Sequence, residues 1–147
     1  MIIIKTHINE NSSKLFRGII TNYIETEVEE AVCLETTNEI RTVLSEAISN
    51  VLVHAYPDSD SKPAIVTIDH VVEDDTTKLV IVVEDEGVGM SDVKKCMEPM
   101  YTTVGDESRC GLGFTIMETM SDNLLITSNP GSGTRIEITK ILSDSLS

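Results

Sequence analysis

Residues 84–114 decide the fold. They read Glu84-Asp85-Glu86-Gly87-Val88-Gly89-Met90, then a gap the size of a short helix and a loop, then Arg109-Cys110-Gly111-Leu112-Gly113-Phe114. The first half follows the β-branched run Lys78-Leu-Val-Ile-Val-Val-Glu84, which reads as a buried strand. A carboxylate at the end of such a strand is costly unless something donates hydrogen bonds to it. Asp85 therefore requires a donor, and the glycines let a flat ligand approach the backbone beside it. The second half sets two glycines directly before an amphipathic helix expected over 113–121, the geometry in which helix N-terminal amides meet a phosphate. Together the halves point to a purine at one end of a site and phosphates at the other.

Outward from this stretch, the chain alternates between helical and strand periodicities. Residues 2–8 are β-branched and read as a strand. Leu15, Ile19, Ile20, Tyr23, Ile24 and Val28 recur three and four apart, an amphipathic helix over 12–28 with Ser12 or Ser13 as cap. A longer helix, Glu35 to Tyr56, carries the stripe Ile40, Val43, Leu44, Ala47, Ile48, Val51 and Leu52 and stops at Pro57. Strands follow at Ala64–Val72 and Lys78–Glu84, joined by the turn Glu73-Asp-Asp-Thr-Thr77. A short helix over Asp92–Met97, capped by Ser91, precedes a long polar segment from Glu98 to Cys110, a length that inside a compact domain usually marks a functional lid. Strand Leu124–Ser128, the turn Asn129-Pro-Gly-Ser-Gly133 and strand Thr134–Ile141 close the chain. The order β-α-α-β-β-α-α-β-β predicts a two-layer α/β (α+β) sandwich, one mixed sheet with helices on one face.

The long helix also carries Glu46, Asn50 and His54 at steps of four, on one face beside the apolar stripe. Oxygen donors from Glu46 and Asn50 suit magnesium, which keeps several waters and takes a few protein oxygens plus substrate phosphates. A glutamate beside that metal can act as general base. The bland alternative, two polar groups solvating a helix edge, loses ground once the glycine motifs downstream are counted. His54 stays open between a phosphate contact and a structural role.

Composition narrows the function. The 147 residues suit one domain, 1–147, and carry a net charge of −14. Clustered Lys and Arg for phosphate neutralisation are missing, which argues against a nucleic-acid partner. No run approaches transmembrane length, and Met1-Ile-Ile-Ile-Lys-Thr lacks the basic n-region of a signal sequence. Cys33, Cys96 and Cys110 are odd in number without metal-type spacing and read as free thiols of a cytoplasmic protein. Cys110, among the glycines, is read as a small space-filler in preference to a reactive thiol.

Each glycine motif alone is weak, but Glu-x3-Asn on a helix, Asp-x-Gly-x-Gly after a strand, Gly-x-Gly-Phe before a helix and Gly-Thr at a last strand, in this order, are specific. On these residues the chain resembles the Bergerat-fold (GHKL) ATPases, and within them the small bacterial anti-sigma factor serine/threonine kinases, the sporulation anti-sigma F type above all. The likeness covers nearly the whole chain. It is tightest at Ser45-Glu-Ala-Ile-Ser-Asn50 with His54-Ala-Tyr56, at Asp85-Glu-Gly-Val-Gly89, and at Pro99-Met-Tyr-Thr-Thr103 followed by Arg109-Cys-Gly-Leu-Gly-Phe-Thr-Ile-Met-Glu118. The resemblance implies ATP and Mg²⁺ as cofactors. It implies that Asp85 accepts a hydrogen bond from the adenine amino group, that Gly87 and Gly89 make room beside the base, and that Thr134 contacts adenine through its hydroxyl or a water. It implies Asn50 as the Mg²⁺ ligand, Glu46 as general base and a lid over about 98–111. Arg109, Gly111, Leu112, Gly113 and Phe114 would meet the phosphates, Arg109 as a charge clamp, with His54 and Thr103 also at the nucleotide. The partners implied are a sigma factor, a small anti-anti-sigma antagonist with a STAS domain that is phosphorylated on serine, and a second copy of the chain. Val104-Gly105 departs from the basic residue and proline of the family pattern. That departure motivates an alternative: a nucleotide-gated module that sequesters sigma with little kinase activity.

Overall fold

A computed structural model describes residues 1–93 and 107–142, with 107–111 described as backbone alone. Strand β1 (Ile2–His7) is followed by helices α1 (Ser12–Glu27) and α2 (Leu34–Asn50), and α2 runs on into a π-helical turn over Val51–Ala55. Strands β2 (Pro63–Glu73) and β3 (Thr76–Asp85), helix α3 (Glu107–Met120), and strands β4 (Asn123–Ser128) and β5 (Thr134–Ile141) complete the described chain. The expected helix over 92–97 falls almost wholly outside the described residues, as do Thr103 and Val104-Gly105.

The sheet order is β1-β2-β3-β5-β4, and every neighbouring pair is antiparallel. The expected mixed sheet is corrected here, for a topological reason. A single described helix leads from β3 to β4, and these two strands do point the same way, since both are antiparallel to β5. The β4–β5 hairpin places β5 between them, so the parallel pair never forms. The two-layer arrangement stands: α1 and α2 pack on each other, α2 on α3, and α2 touches β3 and β5.

The core lies between these layers. Phe16, Ile20, Tyr23 and Ile24 of α1 meet Ile40, Leu44, Ala47 and Ile48 of α2 over Val66, Ile68, Leu79, Ile81, Val83, Ile136 and Ile138 of the sheet. Of the expected α1 stripe, Ile20, Tyr23, Ile24 and Val28 are buried and Ile19 is partly so. Only the first turn differs: Phe16 is 1% exposed and Leu15 58%, because 16 lies four residues before 20 on the buried face. The α1 cap also differs. The N-cap position is Asn11, and the expected cap Ser12 turns back instead: its Oγ accepts from Asn9 N–H at 2.9 Å, while Asn9 Oδ1 accepts from Asn11 N–H at 2.8 Å.

The β2–β3 turn is tighter than expected. Glu73 pairs with Thr76 across Asp74-Asp75, whose φ values of 51° and 65° are both left-handed. That is a two-residue hairpin of the kind whose twist matches its strands, and Asp tolerates the left-handed region. β2 therefore runs one residue, and β3 two, further into the turn than hydropathy shows. Helix α3 begins at Glu107, six residues before the expected start at 113. Glu107-Ser108-Arg109-Cys110 contains neither Pro nor Gly, so nothing in it stops the helix from extending backward. Gly111, Leu112 and Gly113 thus lie inside α3, so the last five residues of the expected lid, 107–111, are helical.

Candidate functional site

The site gathers at one end of the sheet, where the registers of four strands coincide. Ala64 pairs with Asp85, Asp85 with Thr134, and Thr134 with Ser128. Paired residues in antiparallel strands project to the same face, so Asp85, Thr134 and Ser128 form one polar row above the apolar row Val66, Val83, Ile136 and Ile126.

Asp85 is 8% exposed. The donors its burial demanded are backbone amides: Gly87 N–H donates to Oδ1 at 2.9 Å and Thr134 N–H to the same oxygen at 3.2 Å. Burial pushes the Asp85 carboxyl above its ordinary range, and the two amides pull it partly back. Both amide donors reach Oδ1, which leaves Oδ2 as the oxygen able to accept from elsewhere.

The glycines after Asp85 have a different immediate use from the one expected. A Cβ on Gly87 would lie 2.1 Å from the carbonyl oxygen of Ala55, and one on Gly89, where φ is +71°, would lie 2.0 Å from that of Asn129. The room they leave is taken by the chain's own backbone. Val88 N–H donates to Ala55 O at 2.8 Å, and Gly131 N–H donates to Val88 O at 2.7 Å. The loop 86–90 is thereby fastened between the end of α2 and the β4–β5 turn.

Two side chains that sequence reasoning did not single out fasten it further. The Tyr56 hydroxyl donates to Pro63 O at 2.7 Å and accepts from Glu86 N–H at 2.8 Å. Ser128 Oγ accepts from Met90 N–H at 2.8 Å, donates to Gly133 O at 2.9 Å and lies 2.9 Å from Thr134 Oγ1. A strand-end serine and a tyrosine before proline carry no local signal of such roles. Only the register reveals them.

Helix α2 supplies the second group. Asn50 is 9% exposed at the last α-helical position, and Glu46 is half-buried one turn earlier. Burial pushes the Glu46 carboxyl up. Its Oε1 lies 3.2 Å from where a Cβ on Gly113 would stand, so the absence of a side chain on α3 lets the carboxylate close on that helix. His54 lies beyond the α-helical stretch that carries Glu46 and Asn50, in the π-helical turn 51–55.

The expected phosphate-side residues divide. Gly113 faces Glu46. Leu112 is 70% exposed on α3. The Phe114 side chain lies in the core: it is 1% exposed and belongs to the main apolar cluster, and its backbone amide stands at the eighth residue of α3, past the free N–H groups of the helix's first turn. The backbone of Arg109 and Gly111 lies in the first turns of α3. Among the described residues no three His, Cys, Asp or Glu side chains cluster as a metal site. The Glu46 carboxylate and Asn50 amide are hard oxygen donors too few to hold magnesium alone, and they fit it in company with phosphate oxygens and water. No helix of the described residues is long and apolar enough to cross a membrane.

Comparison with known proteins agrees with this geometry. Residues 16–140 match the family described as the histidine kinase-like ATPase domain. An anti-sigma F factor of Caldanaerobacter subterraneus is 42% identical over 109 residues, 74% of this chain and 73% of that one. Those of Clostridium acetobutylicum and Bacillus velezensis are each 41% identical, over 73% and 76% of this chain and 71% and 74% of theirs. Among solved structures, the RsbU and RsbW domains of Rv1364c from Mycobacterium tuberculosis superpose with a TM-score of 0.59 at 15% identity, over 97% of this chain and 33% of that one, a likeness of fold. The chain belongs to the histidine kinase-like ATPase family, among the relatives of the anti-sigma F factors.

Proposed function

We propose that the protein is an anti-sigma factor that binds ATP in the cleft between the Asp85 row and α2, and uses it to phosphorylate a serine on an anti-anti-sigma antagonist. The observation that carries this is the pairing of two poised carboxylates. Asp85 is buried and anchored by backbone amides at the base end, and Glu46 is half-buried and drawn up against Gly113 of α3 at the other. In this reading Asp85 accepts a hydrogen bond from the adenine amino group. Asn50 holds Mg²⁺, which neutralises charge on the phosphates. Glu46, whose carboxyl is shifted up toward neutrality, takes the proton of the antagonist's serine hydroxyl. The serine oxygen then bonds to the γ-phosphorus as the bond to the β–γ bridging oxygen breaks, leaving phosphoserine and ADP.

The names of the relatives support a sigma factor as the captured partner, and a homodimer is proposed from the family resemblance. The net charge of −14 suits a partner with a basic surface. Glu46→Gln keeps the shape of the side chain and removes the base. We expect it to hold ATP within about threefold of wild type while losing at least a hundredfold in phosphoryl transfer to the antagonist, the low end of what a positioned base supplies, about 10²–10⁴. Calorimetry and phosphoserine formation check the two halves, and full transfer by the variant would remove Glu46 from the chemistry.

A further inference from the structure

Ser128 Oγ meets three groups, Met90 N–H, Gly133 O and Thr134 Oγ1, and its hydrogen bonds fix more than the loop. A serine hydroxyl has one proton and two lone pairs. The proton goes to Gly133 O at 2.9 Å, since a carbonyl can only accept. One lone pair takes Met90 N–H at 2.8 Å. The remaining contact, to Thr134 Oγ1 at 2.9 Å, must then be donated by threonine. With its only proton turned toward Ser128, the Thr134 hydroxyl offers nothing but lone pairs elsewhere. Its register partner on the other side is Asp85, an anionic acceptor. Asp85 and Thr134 therefore present two acceptors side by side at this end of the sheet.

We infer that Ser128 is a positioning residue that makes this site select a 6-aminopurine over a 6-oxopurine, by locking the Thr134 hydroxyl as an acceptor. The inference deepens the base-binding role proposed above for Asp85 and Thr134, and rests on it. A 6-amino group brings protons to both acceptors, directly or through a water. A 6-oxo group brings lone pairs to lone pairs, and leaves buried acceptors unmatched, which is what makes polar discrimination strong. Asp85 alone would supply part of this. Thr134 supplies the rest only while its proton is held away, because a free hydroxyl turns and donates to the oxo group.

The test compares ATP with inosine triphosphate, which differ at the 6-position and N1, by calorimetric titration of the full chain with Mg²⁺ present. In wild type ATP should bind markedly tighter. In Ser128→Ala the Thr134 hydroxyl is released, and the ATP-to-ITP affinity ratio should fall about three- to tenfold, the worth of one neutral hydrogen bond. Ser128→Thr keeps the hydroxyl and should restore the wild-type ratio. A merely structural serine would weaken both nucleotides alike and leave the ratio unmoved, so an unchanged ratio in Ser128→Ala overturns the assignment. A ratio that falls equally in Ser128→Thr marks general damage to the loop and also overturns it. Should Ser128→Ala fail to fold, Ser128→Cys, with a weak donor and acceptor in similar volume, is read by the same ratio. Wild type that binds neither nucleotide would defeat the base site itself, and that result is distinct from wild-type selectivity that survives loss of Ser128.

Discussion

Asp85 shows how a single buried charge is made useful. Two amides bind one of its oxygens, and burial raises the energy of the charged form that remains. A ligand donating to the carboxylate therefore relieves a cost already present. A hydrogen bond to a charged group is worth about 1.5–3 kcal/mol, so Asp85→Ala should weaken ATP about 10- to 150-fold, measured by calorimetry. An unchanged affinity would place the base elsewhere. The pH dependence has a definite sign. The folded-state pKa lies above the ordinary value of 3.8, so the proton returns to Asp85 on acidification earlier than to an exposed aspartate. ATP affinity should fall as pH drops through that raised pKa. Folding stability moves the opposite way: the contribution of this group is complete below the unfolded pKa and is lost as pH rises through the folded one. Asp85→Asn should flatten the affinity profile. At this scale the sequence was informative about charges and poor about hydroxyls. Asp85 and Glu46 stand out because a carboxylate at a strand end or beside an apolar stripe needs a reason. Ser128 and Tyr56 do not, because hydroxyls are cheap anywhere and acquire their roles only from the strands opposite them.

At the scale of elements, the fastening of the 86–90 loop to the end of α2 is the joint that holds the site together. Adding a methyl at Gly87 would drive it to 2.1 Å from the Ala55 carbonyl oxygen, which already accepts Val88 N–H. The atoms it would meet are the Ala55 carbonyl and Cβ, none of them the free end of a flexible side chain that could give way. Gly87→Ala should cost about 2–4 kcal/mol, overpacking of about 1–3 plus a lost hydrogen bond of about 1. Gly18 is the control. It lies in the exposed face of α1 with nothing within 4 Å of its would-be Cβ, so Gly18→Ala should stabilise by about 0.5–1 kcal/mol. Urea unfolding of both variants checks the contrast, and equal effects would mean the loop is not fastened there. These elements were legible where hydrophobic periodicity runs long: α1, the helical stretch 34–55 (α2 with its π-helical turn) and the strands β2, β3 and β5 fall within two residues or so of expectation. The misses have local causes. Pro57 ends the second helix as expected, but nothing in Val51-Leu-Val-His-Ala55 announces a π-helical turn. The start of α3 was set too late because Gly111 and Gly113 were read as boundaries, whereas glycine within a helix costs only about 1 kcal/mol each. Packing of α3 against α2 offsets that.

The whole molecule is a thin antiparallel sheet under three described helices, carrying 25 acidic residues against 11 basic ones. Few described ion pairs relieve this. Arg135 serves both Glu84 and Glu137, and Lys140 pairs with Glu39 while donating to Met120 O at the end of α3. The exposed Arg135 pairs contribute little individually, and the half-buried Lys140–Glu39 pair is a single contact, so the excess negative charge acts mainly as repulsion spread over the surface. Repulsion among exposed charges is screened once they are farther apart than the Debye length, about 30 Å at 0.01 M salt and about 10 Å at 0.1 M. Over that range most of the molecule's own charges pass from felt to screened. The melting temperature at pH 7 should therefore rise by several degrees between 0.01 and 0.15 M NaCl, a gain of about 1–2 kcal/mol at roughly 2–8 °C per kcal/mol for small domains. Tetramethylammonium chloride should act as well as NaCl, since screening depends on ionic strength and not on the cation. A rise with NaCl alone would point to specific sodium binding. A flat response would mean that the unfolded chain repels itself as strongly as the folded one, and that the acidity is kept for a partner at no cost to the fold.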